Sequence, residues 1–242
     1  MKKILVAIMA LMTLTVNAAQ KSDTFTTPGG KTVVINHIKH ASMHIEYDGR
    51  HIYVDPVGNT VQPQTDYSLM PRAHIVLITH EHADHYDPID LPQLYQTSTA
   101  LYANPAVIHK AYRGIPLNNG DSLIYANDIK IYAVPAYNTT EGREQFHPKG
   151  RDNGYILVLD GLRIYIAGDT EDIPEMAELK DIDIAFLPCN QPYTMTVDQL
   201  VKAANTIKPK VLFPYHYSET PIQQVRIRLA GTGIDVRIRD YK

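Results

Sequence analysis

Between residues 32 and 55, apolar and polar side chains alternate with a period of two, interrupted at Asp48-Gly49. That period puts one face of a strand into a core and the other into water, and Asp-Gly is a tight-turn signal, so the segment reads as a hairpin. Residues 73–79, Ala-His-Ile-Val-Leu-Ile-Thr, are almost continuously apolar and rich in β-branched side chains. This is the pattern of a central strand buried on both faces. Residues 104–112 predict one short helix opened near Pro105, and residues 122–137 two strands around Asn127-Asp128. The polar stretch 138–153 carries Gly142, Pro148 and Gly150 and reads as a long loop within the domain, a kind of segment that often carries function. A second hairpin follows at 155–159 and 163–167 around Asp160-Gly161, then a strand at 182–187. Residues 196–207 give the clearest helix, with Thr196 at the N-cap position and apolar residues at helical spacing. A strand at 210–215, a helix at 221–229 and a last strand at 234–238 complete the pattern.

The two hairpins echo each other, Asp48-Gly-Arg-His-Ile-Tyr-Val-Asp55 against Asp160-Gly-Leu-Arg-Ile-Tyr-Ile-Ala-Gly-Asp169. A fold of two similar halves accounts for the echo, and so do two ordinary hairpins that share turn chemistry. At the start of the chain, Met1-Lys2-Lys3, the apolar run 4–16 and Asn17-Ala18 match the basic, apolar and small-residue parts of an export signal cut after Ala18. The apolar run is too short to cross a bilayer as a helix. The expected organisation is therefore a signal peptide over 1–18 and one domain over 19–242, exported to the periplasm and without stable membrane insertion after processing.

Composition narrows the chemistry. The 242 residues are 44% hydrophobic, enough for one sizeable core. The formal charge is −3, and removal of Lys2 and Lys3 leaves 21 basic against 26 acidic side chains, or −5. No broad basic face remains to neutralise a phosphate backbone, so nucleic acid is not an expected partner. Eleven His beside the single Cys189 suggest a metal held by nitrogen and oxygen rather than by thiolate. Cys189 itself reads as a buried free thiol.

Thr79-His80-Glu81-His82-Ala83-Asp84-His85 follows the apolar strand at once. In extended chain His80 and His82 point to the same side and can reach one cation. Asp84 and His85 follow where the chain turns and can address a second, since paired ions in hydrolytic sites lie about 3.5–4 Å apart. Four local residues cannot fill two coordination shells. Three other strand ends offer more donors: residues 133–138 with His147 beyond them, residues 164–169 ending in Asp169, and residues 211–216 ending in His216. Asp169 suits a bridging role because a carboxylate has two oxygens, and Gly168 lets the backbone approach closely.

His80-x-His82-x-Asp84-His85, Asp169 within Gly-Asp-Thr, and His216 resemble, in order and spacing, the ligand motifs of the metallo-β-lactamase superfamily of metal-dependent hydrolases. His40-Ala-Ser42, Asp55-Pro56, Pro135-Ala-Tyr-Asn138 and His147-Pro-Lys-Gly150 are similar to its branch containing the ascorbate-6-phosphate lactonases. The resemblance spans the chain from about His37 onward. It implies an α/β fold, the αβ/βα four-layer sandwich of two mixed β-sheets flanked by helices, with metals at one edge. It further implies His80 and His82 on the first metal, Asp84, His85 and His216 on the second, and Asp169 between them. Many members carry the third His of the first site where this chain has Asn138. His147 is the replacement expected here, with Asn138 through its amide oxygen as the alternative.

A hydroxide held between two cations is nucleophilic near neutral pH, so no Ser or Cys nucleophile is needed. The family suggests that Asp84 also orients or deprotonates the attacking oxygen. Asp55 reads as an outer group fixing a His tautomer. His40, Asn138 and Tyr155 are candidates for outer-shell or substrate contact. The leading expectation is an exported dinuclear hydrolase acting on an ester or lactone, amide or phosphodiester bond of a small molecule. Its expected cofactors are two divalent ions, zinc first, with manganese or iron as substitutes. The alternatives on the same ligands are a non-catalytic metal-binding module and a di-iron redox module.

Overall fold

The structure is a computed structural model describing residues 22–241. The expected cleavage after Ala18 and the domain start at residue 19 lie outside the described residues. Seven strands form the first sheet: β1 (Ser22–Thr26), β2 (Thr32–Lys39), β3 (Ser42–Tyr47), β4 (Arg50–Val54), β5 (Ile75–Ile78), β6 (Ala100–Ala103) and β7 (Ile115–Pro116). The second contains β8 (Ser122–Ala126), β9 (Ile129–Ala136), β10 (Asp152–Leu159), β11 (Leu162–Ile166), β12 (Ile184–Pro188), β13 (Val211–Tyr215) and β14 (Asp235–Val236). Helices α1 (Pro105–Ala111), α2 (Val197–Ile207) and α3 (Gln223–Arg228) complete the sandwich.

Each sheet runs antiparallel through its first four strands and parallel through its last three joins. A helix also precedes the last strand of each half, α1 before β7 and α3 before β14. The echo between the hairpins therefore reflects two similar halves. The Asp48-Gly49 turn joins the third and fourth strands of one sheet, and the Asp160-Gly161 turn joins those of the other. Asp48 and Asp160 adopt the same left-handed φ, +49° and +46°, which the following glycines continue.

The apolar period explains the layers. Val33, Ile35, Met43, Ile45, Ile52, Val54, Ile75 and Leu77 face Ile129, Ile131, Leu157, Leu159, Ile164 and Ile166 across the interior. Val76 and Ile78 turn outward from β5 and pack with Leu101, Val107 and Leu94, so this strand is apolar throughout because both its faces are covered. Helix α2 carries a capping box, Thr196 with Gln199, and buries Leu200, Ala203, Ala204 and Ile207. Two boundaries differ from the sequence reading. The long loop ends at Arg151, because Asp152 already pairs with Ala136, and the final strand shrinks to Asp235–Val236. Strand β1, short and largely polar, and strand β6, only four residues long, gave no clear sequence signal.

One edge of the sandwich gathers the ends of β2, β4, β5, β9, β11 and β13. The sheets are stitched there by Asn153 N donating to Thr79 O at 3.1 Å, Tyr155 Oη to Ile78 O at 2.7 Å, and His216 N to His40 O at 3.1 Å. Gly168 sits in this seam with φ +66°, and a Cβ there would stand 2.8 Å from Asn153 O and 3.2 Å from Thr79 Cβ. Gly168→Ala should cost about 2 kcal/mol from the left-handed backbone and the crowding together. Urea unfolding of the two proteins measures that difference, and an unchanged midpoint refutes it.

Candidate metal centre

Asp55, directly after β4, is fully buried and adopts a left-handed φ of +44°. Its Oδ1 accepts from Thr79 N at 2.7 Å, and its Oδ2 accepts from Thr79 Oγ1 at 2.7 Å. The same Oδ2 lies 2.8 Å from His85 Nδ1. A carboxylate there fixes a proton on Nδ1 and leaves Nε2 as the nitrogen open to a cation, facing Asp169 Oδ1 at 3.3 Å. Asp152 treats His147 in the same way, with Oδ2 at 3.0 Å from Nδ1, while His147 Nε2 lies 3.4 Å from Asp169 Oδ2. Asp152 is held in turn by Arg151 at 2.6 and 2.8 Å. The sequence reading found Asp55 and missed Asp152; a carboxylate opening the strand after a candidate ligand loop was the available signal.

The expected ligands converge. His80, His82 and His147 bring donor atoms within 4.8 Å of one another, and so do His80, His85 and Asp169. Asp84, His85 and His216 form a third such group, which His40 also joins. Asp169 links them, with Oδ2 3.4 Å from His216 Nε2 and 4.0 Å from His80 Nε2. His147 is brought back to the strand end by Asn138 N, which donates to His147 O at 2.9 Å. Asn138 turns its amide nitrogen to Arg143 O and Tyr193 O, fastening the loop to residues 190–194. Glu171, buried and unforeseen, accepts from the backbone and hydroxyl of both Thr139 and Thr140 at 2.7–3.0 Å and anchors the start of the loop. Tyr155 corrects the expectation of substrate contact. It is fully buried, and its hydroxyl is spent on Ile78 O, so it braces β5 behind the centre.

The donor set fits cations. His85 Nε2, both ring nitrogens of His216, and Asp169 Oδ1 are buried without a hydrogen-bond partner among the described residues. Unpaired buried polar atoms cost about 1–3 kcal/mol each, and three of these, His85 Nε2, His216 Nε2 and Asp169 Oδ1, belong to one cluster of facing donors. Electrostatics agree. Burial resists ionisation of Asp169 and Asp84, but the surrounding imidazoles outweigh it and hold both carboxyls well below the usual range. Burial and neighbouring imidazoles keep His80 and His82 neutral by lowering their pKa. His85 is the exception: burial opposes its charge, yet Asp169, Asp84 and Asp55 raise it well above the ordinary value.

A family model described as the beta-lactamase superfamily domain matches residues 34–216. A UPF0173 metal-dependent hydrolase from Pyrococcus furiosus is 31% identical over 200 residues, covering 78% of this chain and 86% of the relative. The chain belongs to the UPF0173 metal-dependent hydrolase family, within the metallo-β-lactamase superfamily. A crystal structure of a candidate metal-dependent hydrolase from Parabacteroides distasonis has TM-score 0.89 and 52% identity, covering 93% of this chain and 100% of that one. Igni18, a metallo hydrolase from Ignicoccus hospitalis, has TM-score 0.69 and 26% identity, covering 86% of this chain and 95% of that one. Membership makes the protein an enzyme, a metal-dependent hydrolase with a His and Asp metal site, rather than a non-catalytic module.

Two predictions follow from the buried carboxylates. Asp55→Ala strands Thr79 N and frees the His85 ring, and should cost about 3 kcal/mol of stability and about 10–100-fold in metal affinity. Calorimetric metal titration and thermal melting measure both; intact affinity refutes the orienting role. The raised pKa of His85 means that the metal-free protein carries a proton there at neutral pH, which a metal ion must displace. Affinity should therefore rise with pH across the neutral range, with proton release on binding. Titration in buffers of different ionisation enthalpy reads that proton, and buffer-independent heats refute it.

Proposed function

We propose that the protein is a dinuclear hydrolase for a small-molecule substrate, exported to the periplasm after cleavage of residues 1–18. The observation that carries the two-ion reading is Asp169. Its carboxylate lies between the two groups, Oδ1 toward His85 and Oδ2 toward His147 and His80 on one side and His216 on the other. His80, His82 and His147 would hold one ion, Asp84, His85 and His216 the other, and Asp169 would bridge. Zinc is the first candidate, and manganese or iron also suit nitrogen and oxygen donors. Bound there, the cations supply activated water and polarise a carbonyl or phosphoryl oxygen.

The chain's own residues divide the remaining work. His80, His85, His147, Asp169 and His216 are buried, whereas Asp84 exposes 38% of its side chain and His82 and His40 are partly open. Substrate therefore approaches over Asp84, whose carboxylate stays ionised and can accept a hydrogen bond that orients the attacking water. Asp55 and Asp152 hold the ligand imidazoles in register, so little reorganisation accompanies reaction. The bond cleaved is an ester or lactone, an amide or a phosphodiester; the lactonase-like His40-Ala-Ser42 and Asp55-Pro56 motifs favour a lactone. The acidic charge disfavours nucleic-acid substrates.

Metal analysis of the purified protein, then hydrolysis assays on lactones, aryl esters, bis-nitrophenyl phosphate and β-lactams, test this reading. Two ions per chain and hydrolysis of one class are expected. Chelation or His82→Ala should lower that activity by at least about 100-fold. Undiminished hydrolysis after complete metal removal refutes the proposal.

A further inference from the structure

Four side chains, not three, converge on the Asp84 side of the centre. We propose that His40 is a further protein ligand of the cation held by Asp84, His85 and His216. The inference rests on the reading that this group binds a cation, and goes beyond the family's ligand motifs, in which His40 has no place among the donors.

The decisive point is which atom His40 reaches. A group that merely orients a ligand approaches from behind, as Asp55 and Asp152 do at Nδ1 of His85 and His147, leaving Nε2 toward the centre. His40 comes from the other direction. Its Nε2 lies 2.9 Å from Asp84 Oδ2, the same oxygen that faces His216 Nε2 at 3.4 Å and His85 Nε2 at 3.8 Å. Donor atoms of all four residues lie within 4.8 Å of one another. Donors about 2.1 Å from a shared ion stand about 3.0 Å apart at right angles and about 3.4 Å apart at tetrahedral angles, which the His40 and His216 spacings match, and the His85 spacing corresponds to a wider angle of about 130°. The His40 ring also packs 3.7 Å, centroid to centroid, from that of His216, and the His40 side chain is only 14% exposed.

The backbone is shaped to the same end. His40 and His216 both adopt left-handed conformations, φ +51° and +48°, which residues other than glycine rarely take. They are bonded to each other through His216 N and His40 O at 3.1 Å, and His40 N donates to Tyr241 O at 2.6 Å. Strain of this kind persists only where surrounding contacts enforce it, and it collects at functional sites. Here one cross-link sets two imidazoles side by side, aimed at one carboxylate oxygen.

With Asp169, this side then has five protein donors, two of them carboxylates. That set fits a six-coordinate ion with one open position, whereas His80, His82 and His147 with Asp169 form a four-donor site. The Asp84 side, carrying more negative charge, should fill first.

The test is titration of the metal-free full chain with Co²⁺, read by calorimetry and by visible absorption, which is weak for six-coordinate and intense for four-coordinate cobalt. The wild type should give a weakly absorbing first equivalent. His40→Ala and His40→Asn, the latter tolerant of the left-handed backbone, should weaken that equivalent by at least about 100-fold and intensify its bands. His82→Ala should affect only the second equivalent. On the unmutated protein, histidine labelled with ¹⁵N should show three paramagnetically shifted imidazoles at the first equivalent. Two shifted imidazoles, unchanged affinity in folded His40 variants, or lowered affinity with unchanged bands overturn the inference while leaving the two-ion reading intact. A wild type that binds no Co²⁺ overturns both.

Discussion

The Asp55 carboxylate is the constraint around which the catalytic edge is arranged. It is fully buried, and three short contacts consume it: Thr79 N, Thr79 Oγ1 and His85 Nδ1. A buried carboxylate is tolerated only when its charge is matched by hydrogen bonds of this quality. Because both Thr79 donors sit at the end of β5 and Asp55 at the end of β4, the bond fixes where β5 stops and the His-rich segment begins. His80, next in the chain, and His85, bonded to the same oxygen, inherit that position. The left-handed φ of Asp55 is offset by this network rather than by anything local.

The two halves give the same topological position opposite uses. Asp55 follows the fourth strand of the first sheet, and Asp169 follows the fourth strand of the second, beyond Ala167 and Gly168. Asp55 spends its oxygens on a strand end and a histidine tautomer. Asp169 keeps its oxygens toward imidazole nitrogens, at separations of 3.3–4.0 Å that leave Oδ1 without a hydrogen bond. One carboxylate is structural because it is satisfied, and the other can bridge because it is not. A duplicated scaffold thus supplies a rigid anchor and an open donor from equivalent places, and the stability lost at the second is carried by the first and by the core between the sheets.

Much of this was legible in the chain. A strand apolar on both faces, ending in alternating histidines, announces donors at a sheet edge, and Asp169 and His216 end comparable strands. The hairpin echo indicated the repeat, although only strand order distinguishes a repeat from shared turn chemistry. What stayed hidden acts across long sequence distances. Glu171 matters because four donors from Thr139 and Thr140 meet it, and Lys39 because its buried ammonium donates to Gly58, Val61 and Pro63 carbonyls beneath the loop after Asp55. Neither relationship has a period or spacing. Tyr155 misled for the converse reason: proximity to a motif does not reveal which way a hydroxyl turns.

Burial also decides where chemistry takes place. The donors nearest the seam between the sheets are closed off, so the imidazoles there stay in fixed orientations in a low-dielectric setting where charge interactions are strong. Solvent reaches the centre over Asp84, His40 and His82, and Arg151 stands near this approach, its Nε 3.6 Å from Glu81 Oε1 and 2.6 Å from Asp152 Oδ1. The long loop that carries His147 therefore forms one bank of the approach, and Glu171 and Asn138 hold it there. The donor positions therefore depend on the loop's own anchors, Asn138, Thr139, Thr140 and Arg151, as well as on Asp55, Thr79 and the strand ends beneath.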